Sequence, residues 1–140
     1  MRLRSFQLSD IFAVQQIWSM AASHEKEKET LRVLSDQLAR DRDLVIVAEA
    51  DHGEVVGAIV GTMDGKSGFF YCLAVHPDYR NQKIGTALVN ALYARFERKG
   101  VKRVYITVDE GTENLVPFYR RLGFTNWCHT RNEEDLLALG

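Results

Sequence analysis

The apolar positions along this chain change period several times, and each change marks a new element. Arg2 to Phe6 alternates as a short strand. Behind it Ile11, Val14, Ile17, Trp18 and Ala21 recur at helical spacing, with Ser9 standing where a helix cap is expected. Leu31, Leu34 and Leu38 predict a second helix. Between the two, Ser23-His24-Glu25-Lys26-Glu27-Lys28-Glu29 alternates its charges as a solvated connection or an exposed helical turn does. From Leu44 the pattern turns to strands: Leu44–Glu49, Val55–Thr62 and Phe69–Val75 are β-branched or aromatic runs, separated by Asp51-His52-Gly53 and by Asp64-Gly65 with Gly68. That is the pattern of two successive hairpins, an antiparallel meander. A helix follows over about Gly85–Lys99, with Ile84, Leu88, Ala91, Leu92 and Phe96 along one face and Gly100 to end it. Val104–Val108 is the next strand, so strand, helix and strand imply a right-handed crossover between parallel neighbours. A last helix ends at Leu122-Gly123, and Phe124–Cys128 and Leu136-Leu137-Ala138-Leu139 complete the pattern. The chain therefore reads as α/β, a mixed sheet of six or seven strands flanked by four helices.

Length and composition narrow the functions open to such a fold. At 140 residues the chain is expected to form one domain over its whole length. Lys and Arg total 18 against 19 for Asp and Glu, a net charge of −1, which provides no global field for nucleic acid or an acidic membrane surface. Any anion site must be local. No apolar run approaches the roughly 20 residues of a membrane span. Met1-Arg2-Leu3-Arg4-Ser5 carries charge on alternating residues with no apolar core behind it, so no secretory signal is read and the cytoplasm is the expected address. Cys72 and Cys128 have neither zinc-ligand spacing nor the pattern of a disulfide framework, and no metal site is expected.

One join carries chemistry: Leu73-Ala74-Val75-His76-Pro77-Asp78-Tyr79-Arg80-Asn81-Gln82-Lys83-Ile84-Gly85-Thr86, where a strand ends and the long helix begins. The first N–H groups of a helix lack internal acceptors and the macrodipole adds positive potential, so phosphate is favoured there. Between Asp78 and Arg103 stand seven basic residues: Arg80, Lys83, Arg95, Arg98, Lys99, Lys102 and Arg103. Those from Arg95 onward suit the negative end of the helix as a solvated cap. Arg80 and Lys83 lie at the other end, where the helix dipole does not account for them.

These residues resemble the GNAT superfamily of acyl-CoA-dependent N-acetyltransferases. Its hallmark is a strand, then Pro-x-Tyr, then Arg or Gln-x-x-Gly-x-Gly or Ala opening a helix, and Leu73 to Gly85 follows it with Lys83 in place of the first glycine. Phe118-Tyr119-Arg120-Arg121-Leu122-Gly123-Phe124 is similar to the family's Tyr-x-x-x-Gly-Phe block, and the order of elements agrees over nearly the whole chain. The resemblance implies that the strand before the phosphate turn splays from its parallel neighbour at a bulge. Leu73, Ala74 and Val75 would then offer backbone N–H groups to the pantetheine arm and to the thioester oxygen, where negative charge develops. Acetyl-CoA would be the cosubstrate, its pyrophosphate lying on Arg80, Asn81, Gln82, Lys83, Ile84, Gly85 and Thr86. By family position Tyr119 would protonate the departing thiolate.

Departures from the family pattern shape the remaining expectations. With Lys83 and Asn81 both replacing glycines, Lys83 is expected in helical backbone, where a side chain costs little and its ammonium pairs with phosphate. Thr112 takes a place where many members carry a cofactor-binding Asn, and its hydroxyl can serve the same bond. Pro117 is comfortable only in a first helical turn, which draws the helix start toward Asn114, either a cofactor contact or a cap. Thr107 stands where some members place a catalytic Glu, so the base is open among Asp109, Glu110, His76 and water, with Glu25, Glu27 and Glu29 further candidates that would favour a cationic amine. Cys72, beside the bulge, reads as a small core thiol rather than an acyl carrier. The expected activity is acetyl transfer to a primary amine by direct attack in a ternary complex; the alternative is a catalytically silent acyl-CoA-binding or interaction module. The last strand is expected at an exposed edge, which leaves a homodimer open.

Overall fold

The computed structural model describes the backbone of residues 1–21, 24–108, 116–129 and 135–139. Seven strands form one sheet: β1 (Arg2–Ser5), β2 (Val45–Glu49), β3 (Val55–Asp64), β4 (Ser67–Val75), β5 (Arg103–Val108), β6 (Phe124–His129) and β7 (Asp135–Leu139), in the order β1-β2-β3-β4-β5-β7-β6. The helices are α1 (Ile11–Ala21), α2 (His24–Arg40), α3 (Ile84–Arg98) and α4 (Val116–Arg121). All strand pairs are antiparallel except β4 with β5, the parallel pair expected from the crossover through α3.

The alternation along each strand divides the core into two layers. On β2, Ile46 and Ala48 face a cluster with Leu88, Leu92 and Phe96 of α3, while Val45 and Val47 face Val14, Ile17 and Trp18 of α1 and Leu34 of α2. Each such fully buried aliphatic or aromatic side chain stabilises the fold by about 1.5–3 kcal/mol relative to an exposed one. α3 lies against β3 and β4 without clearance. A Cβ built on Gly61 would stand 2.9 Å from both Leu92 Cδ2 and Phe96 Cζ, and one on Gly68 would meet Phe96 at 3.0 Å.

Two expectations are corrected and one open alternative is decided. Ser9 does not cap the first helix. The chain enters α1 through a 3₁₀ turn over Leu8–Asp10, and the Asp10 carboxylate accepts the Gln7 N–H at 2.8 Å. The same carboxylate receives Arg4 in a two-pronged bond of 2.7 and 2.9 Å, and Arg4 Nε reaches Glu49 at 2.6 Å, so a shorter serine cannot replace it. Of the two readings open for the alternating charges, a connection or a helical turn, the structure has the helical one: His24 to Glu29 are the opening turns of α2. Finally, the last strand is not at an edge. β7 pairs with β5 through Tyr105↔Ala138 and Ile106↔Leu137, and with β6 through Trp127↔Leu137 and Cys128↔Leu136, so the edges are β1 and β6. An uninterrupted apolar run is the signature of an interior strand, and Leu136-Leu137-Ala138-Leu139 has that form. Pro117 falls in the first turn of α4, as expected, while Asn114 lies outside the described residues. Among the described residues no helix is long and apolar enough to cross a membrane.

Candidate active site

The cleft begins where β4 leaves β5. The two run in parallel register from Ser67↔Arg103 to Phe70↔Ile106, and pairing stops there although β4 continues to Val75 and β5 to Val108. The cause lies on the other side of β4. Val60 is opposite Cys72 but Gly61 is opposite Phe70, so Tyr71 is an extra residue, and a bulge of this kind bends its strand and increases the local twist. Beyond the bulge the amides alternate. His76 N–H donates to Val56 O at 2.8 Å, so alternation turns the amides of Ala74 and Cys72 toward β3 as well. Leu73 and Val75 therefore direct their N–H groups toward the gap that β5 has vacated. Of the three residues expected to offer backbone donors, Ala74 instead contributes its buried side chain to the layer beneath α1 and α2.

The strand ends in a turn built by short-range bonds. His76 caps it, its Nδ1 accepting the Asp78 N–H at 3.1 Å, and Pro77–Tyr79 form a 3₁₀ turn. Tyr79 donates its hydroxyl to Glu54 Oε2 at 3.4 Å. His76, a candidate base, thus spends one ring nitrogen on the turn. After Arg80 the backbone does something the sequence reading did not expect: Lys83 is left-handed, at φ 63° and ψ 19°, not helical, and Asn81 has φ 64°. Alternation of left- and right-handed residues points successive N–H groups into one concavity, an anion nest. The first helical bond is Ala87 N–H to Lys83 O, at 3.0 Å. Among the described residues, the N–H groups of residues 81–86 have no acceptor. Six consecutive unpaired donors at the positive end of a 15-residue helix, with exposed Arg80 and Lys83 beside them, fit a diphosphate in charge and in chemistry.

Two of the basic residues at the far end of α3, Arg95 and Lys99, are engaged within the fold. Lys99 Nζ lies 2.6 Å from Asp41 and 3.5 Å from Asp43, and Arg95 donates to Ser5 Oγ and to the Asp43 carbonyl. They tie the helix to β1 and to the chain before β2, so these two are held by partners in the fold where a solvated cap was expected.

α4 brings two aromatic residues near the point where β4 leaves β5, Phe118 against the start of α3 and Tyr119 against Phe70, the last residue of β4 paired with β5. Phe118 stands over the first turn of α3, 3.4 Å from where a Gly85 Cβ would be, so the two motif blocks meet in space. Tyr119 is 4% exposed and packs among Phe70, Phe118 and Phe124, with ring centroids 6.4, 5.2 and 5.6 Å away. Burial, and then the nearby Cys72 thiol, push its phenol well above the ordinary tyrosine value. It stays protonated at neutral pH, able to donate a proton and unsuited to accept one. Ile84 is buried against the sheet, and Gly85 and Thr86 are half-buried behind the nest. Asp109, Glu110, Thr112 and Asn114 lie outside the described residues, as do the side chains of Glu25, Glu27, Glu29 and Thr107. The sequence reading overlooked Phe118 as a wall of the site. Its place at the head of the second block marked it, but only the α3–α4 contact shows what it touches.

Comparison with known proteins bears on this architecture. The model of the acetyltransferase (GNAT) family matches residues 11–124. A curated acetyltransferase of Pectobacterium atrosepticum is 31% identical over 124 residues, covering 89% of this chain and 87% of that protein. The PaiA N-acetyltransferase of Thermoplasma acidophilum, solved in complex with coenzyme A, superposes with a TM-score of 0.75 at 18% identity, over 98% of this chain and 96% of that one. A GNAT family acetyltransferase of Brucella melitensis, in complex with acetyl-CoA, does so at 0.70 and 22% identity, over 99% and 88%. At such identities the structures speak for the fold, and the sequence match speaks for the family. The chain, matched along most of its length and with a bulged strand that opens from its parallel neighbour onto a row of unpaired N–H groups, belongs to the GNAT acetyltransferase family, whose cosubstrate is acetyl-CoA.

Proposed function

We propose that the chain moves an acetyl group from acetyl-CoA to a primary amine by direct attack within a ternary complex. The observation that carries this reading is the row of unpaired N–H groups over residues 81–86, placed where β4 has parted from β5. The diphosphate lies on those donors, with Arg80 and Lys83 as counter-charges and Phe118 beside the first helical turn. The pantetheine arm takes up the strand-like bonding of Leu73 and Val75 that β5 leaves unmade. One of these N–H groups faces the thioester oxygen and stabilises the negative charge that forms there as the amine nitrogen attacks, an effect typically worth about 3–4 kcal/mol. The C–S bond then breaks. Tyr119, held neutral by burial, gives its proton to the departing thiolate, and the proton lost by the amine restores the phenol through solvent.

Calorimetric titration with acetyl-CoA and with desulfo-CoA at fixed salt tests the seat, with micromolar binding of both expected. Absence of binding by either would overturn the seat and leave a silent interaction module as the better account. Tyr119→Phe should then keep cofactor affinity while thiol release in an amine screen falls by roughly 10²–10⁴-fold. Undiminished release would end the acid role.

A further inference from the structure

The outward side of α1 combines exposed apolar side chains with a lack of charge. Four large apolar side chains are exposed among the described residues, and three of them, Leu8 (69%), Phe12 (77%) and Met20 (48%), stand on α1 or on the 3₁₀ turn that leads into it. Phe12, Gln16 and Met20 follow one another at intervals of four residues, each step turning about 40° around the helix, so they share one face. From Gln7 to Ala21 the one charged residue is Asp10, which is buried and held by Arg4. At the 26% found in the whole chain, a stretch of that length would carry about four. α1 and α2 pack on the opposite side of the sheet from α3, so this face is turned away from the helix that carries the phosphate nest.

Single exposed apolar residues are common on proteins, but phenylalanine and methionine on a helix without charge match the core of an interface, where charged residues are depleted. The missing charges also select the partner. A strongly charged partner finds nothing to pair with here, and a helix lying on a membrane would carry Lys or Arg beside its apolar stripe, which α1 does not. A second copy of the chain meets this face without repulsion, and the spacing suits it. Gln16 is exposed, its side-chain amide has no partner among the described residues, and it lies four residues from Phe12 and four from Met20. A two-fold axis at Gln16 sets two α1 helices antiparallel, brings Phe12 of each copy against Met20 of the other, and lets the two amides, each both donor and acceptor, bond one another. A helix of 11 residues is about 16 Å long, so the contact is smaller than a standard interface and the pair is a transient one.

We infer that the outer face of α1 is a self-association surface, through which two copies of the chain form a two-fold dimer centred on Gln16. The claim is independent of the cofactor seat. Sedimentation equilibrium of the whole chain tests it, over about 5–500 µM, where a small interface of this kind should pass from monomer to dimer with a Kd of about 10–100 µM. Phe12→Lys and Met20→Glu, each at an exposed helix position where folding is little affected, should separately raise that Kd more than about tenfold, because each substitution enters the dimer twice. The chain carrying both substitutions should associate again, because opposite charges then face each other at both contacts. Circular dichroism checks that all three variants fold. The inference fails if the natural chain stays monomeric throughout that range, including the case in which it sediments with phosphatidylcholine vesicles instead. It fails equally if either single substitution leaves the dimer as it was, or if the double variant stays monomeric.

Discussion

Lys83 offers a test of the turn in which two substitutions must differ by a sign. At φ 63° and ψ 19° an L side chain costs about 1–2 kcal/mol relative to right-handed backbone. Glycine escapes that cost but loses more chain entropy on folding, about 0.4–1 kcal/mol relative to alanine. Lys83→Gly should therefore be more stable than Lys83→Ala by about 0.5–1 kcal/mol, or roughly 2–4 °C in Tm for a chain of this size. Were residue 83 helical, the order would reverse, because glycine in a helix is about 1 kcal/mol worse than alanine. The lysine side chain is exposed and makes no capping bond, so no packing term enters, and both variants lose the same ammonium. Urea unfolding of the pair, at equal m-values, reads the difference directly. A Lys83→Ala chain as stable as Lys83→Gly, or more so, would refute the left-handed turn and with it the nest.

Other consequences can be measured alongside. Asp10→Asn removes the carboxylate that Arg4 grips in a mostly buried site, and should destabilise the protein by about 3 kcal/mol in denaturant titration. Burial alone would raise the Asp10 carboxyl, but the bonds from Arg4 and the Gln7 amide outweigh it and hold it below its ordinary value. Its contribution is thus complete above about pH 4 and is lost as pH falls through the lowered folded value; in Asp10→Asn that portion of the acid-induced loss should disappear. Gly61→Ala drives a methyl into Leu92 and Phe96 and should cost about 1–3 kcal/mol by thermal unfolding. In an alkaline absorbance titration of the 5 tyrosines, Tyr119 should ionise only with unfolding, and Tyr119→Phe should lack that late step.

Much of the fold was legible in the amino-acid sequence because it rests on local spacing. The turn residues and β-branched runs from Leu44 to Val75 marked the meander, the helical spacing from Ile84 to Phe96 marked α3, and the strands on either side of that helix demanded a parallel pair. The two motif blocks identified the residues at the nest and Tyr119. What local pattern could not show was any property that depends on a partner. Ser9 looked like a cap because caps are recognised by residue type, yet Asp10 prevails since its longer carboxylate also meets Arg4 of β1. Lys83 looked helical because side chains avoid left-handed backbone; the signal against it was that Asn81 and Lys83 both stand where the resembled family carries glycines, and both are left-handed.

The sequence by itself thus determined which segments become most of the strands and helices, which join between a strand and a helix leaves backbone N–H groups unpaired, and that the helix after β4 must cross to a parallel neighbour. Only the tertiary structure decided that β7 slots between β5 and β6, that Tyr71 is an extra residue where β4 leaves β5, and that Phe118 packs on the first turn of α3 while Tyr119 is buried against Phe70. The division has a physical basis. Hydrophobic period and turn chemistry act within a few residues, whereas strand order, splay and burial follow from which surfaces meet once the chain has folded.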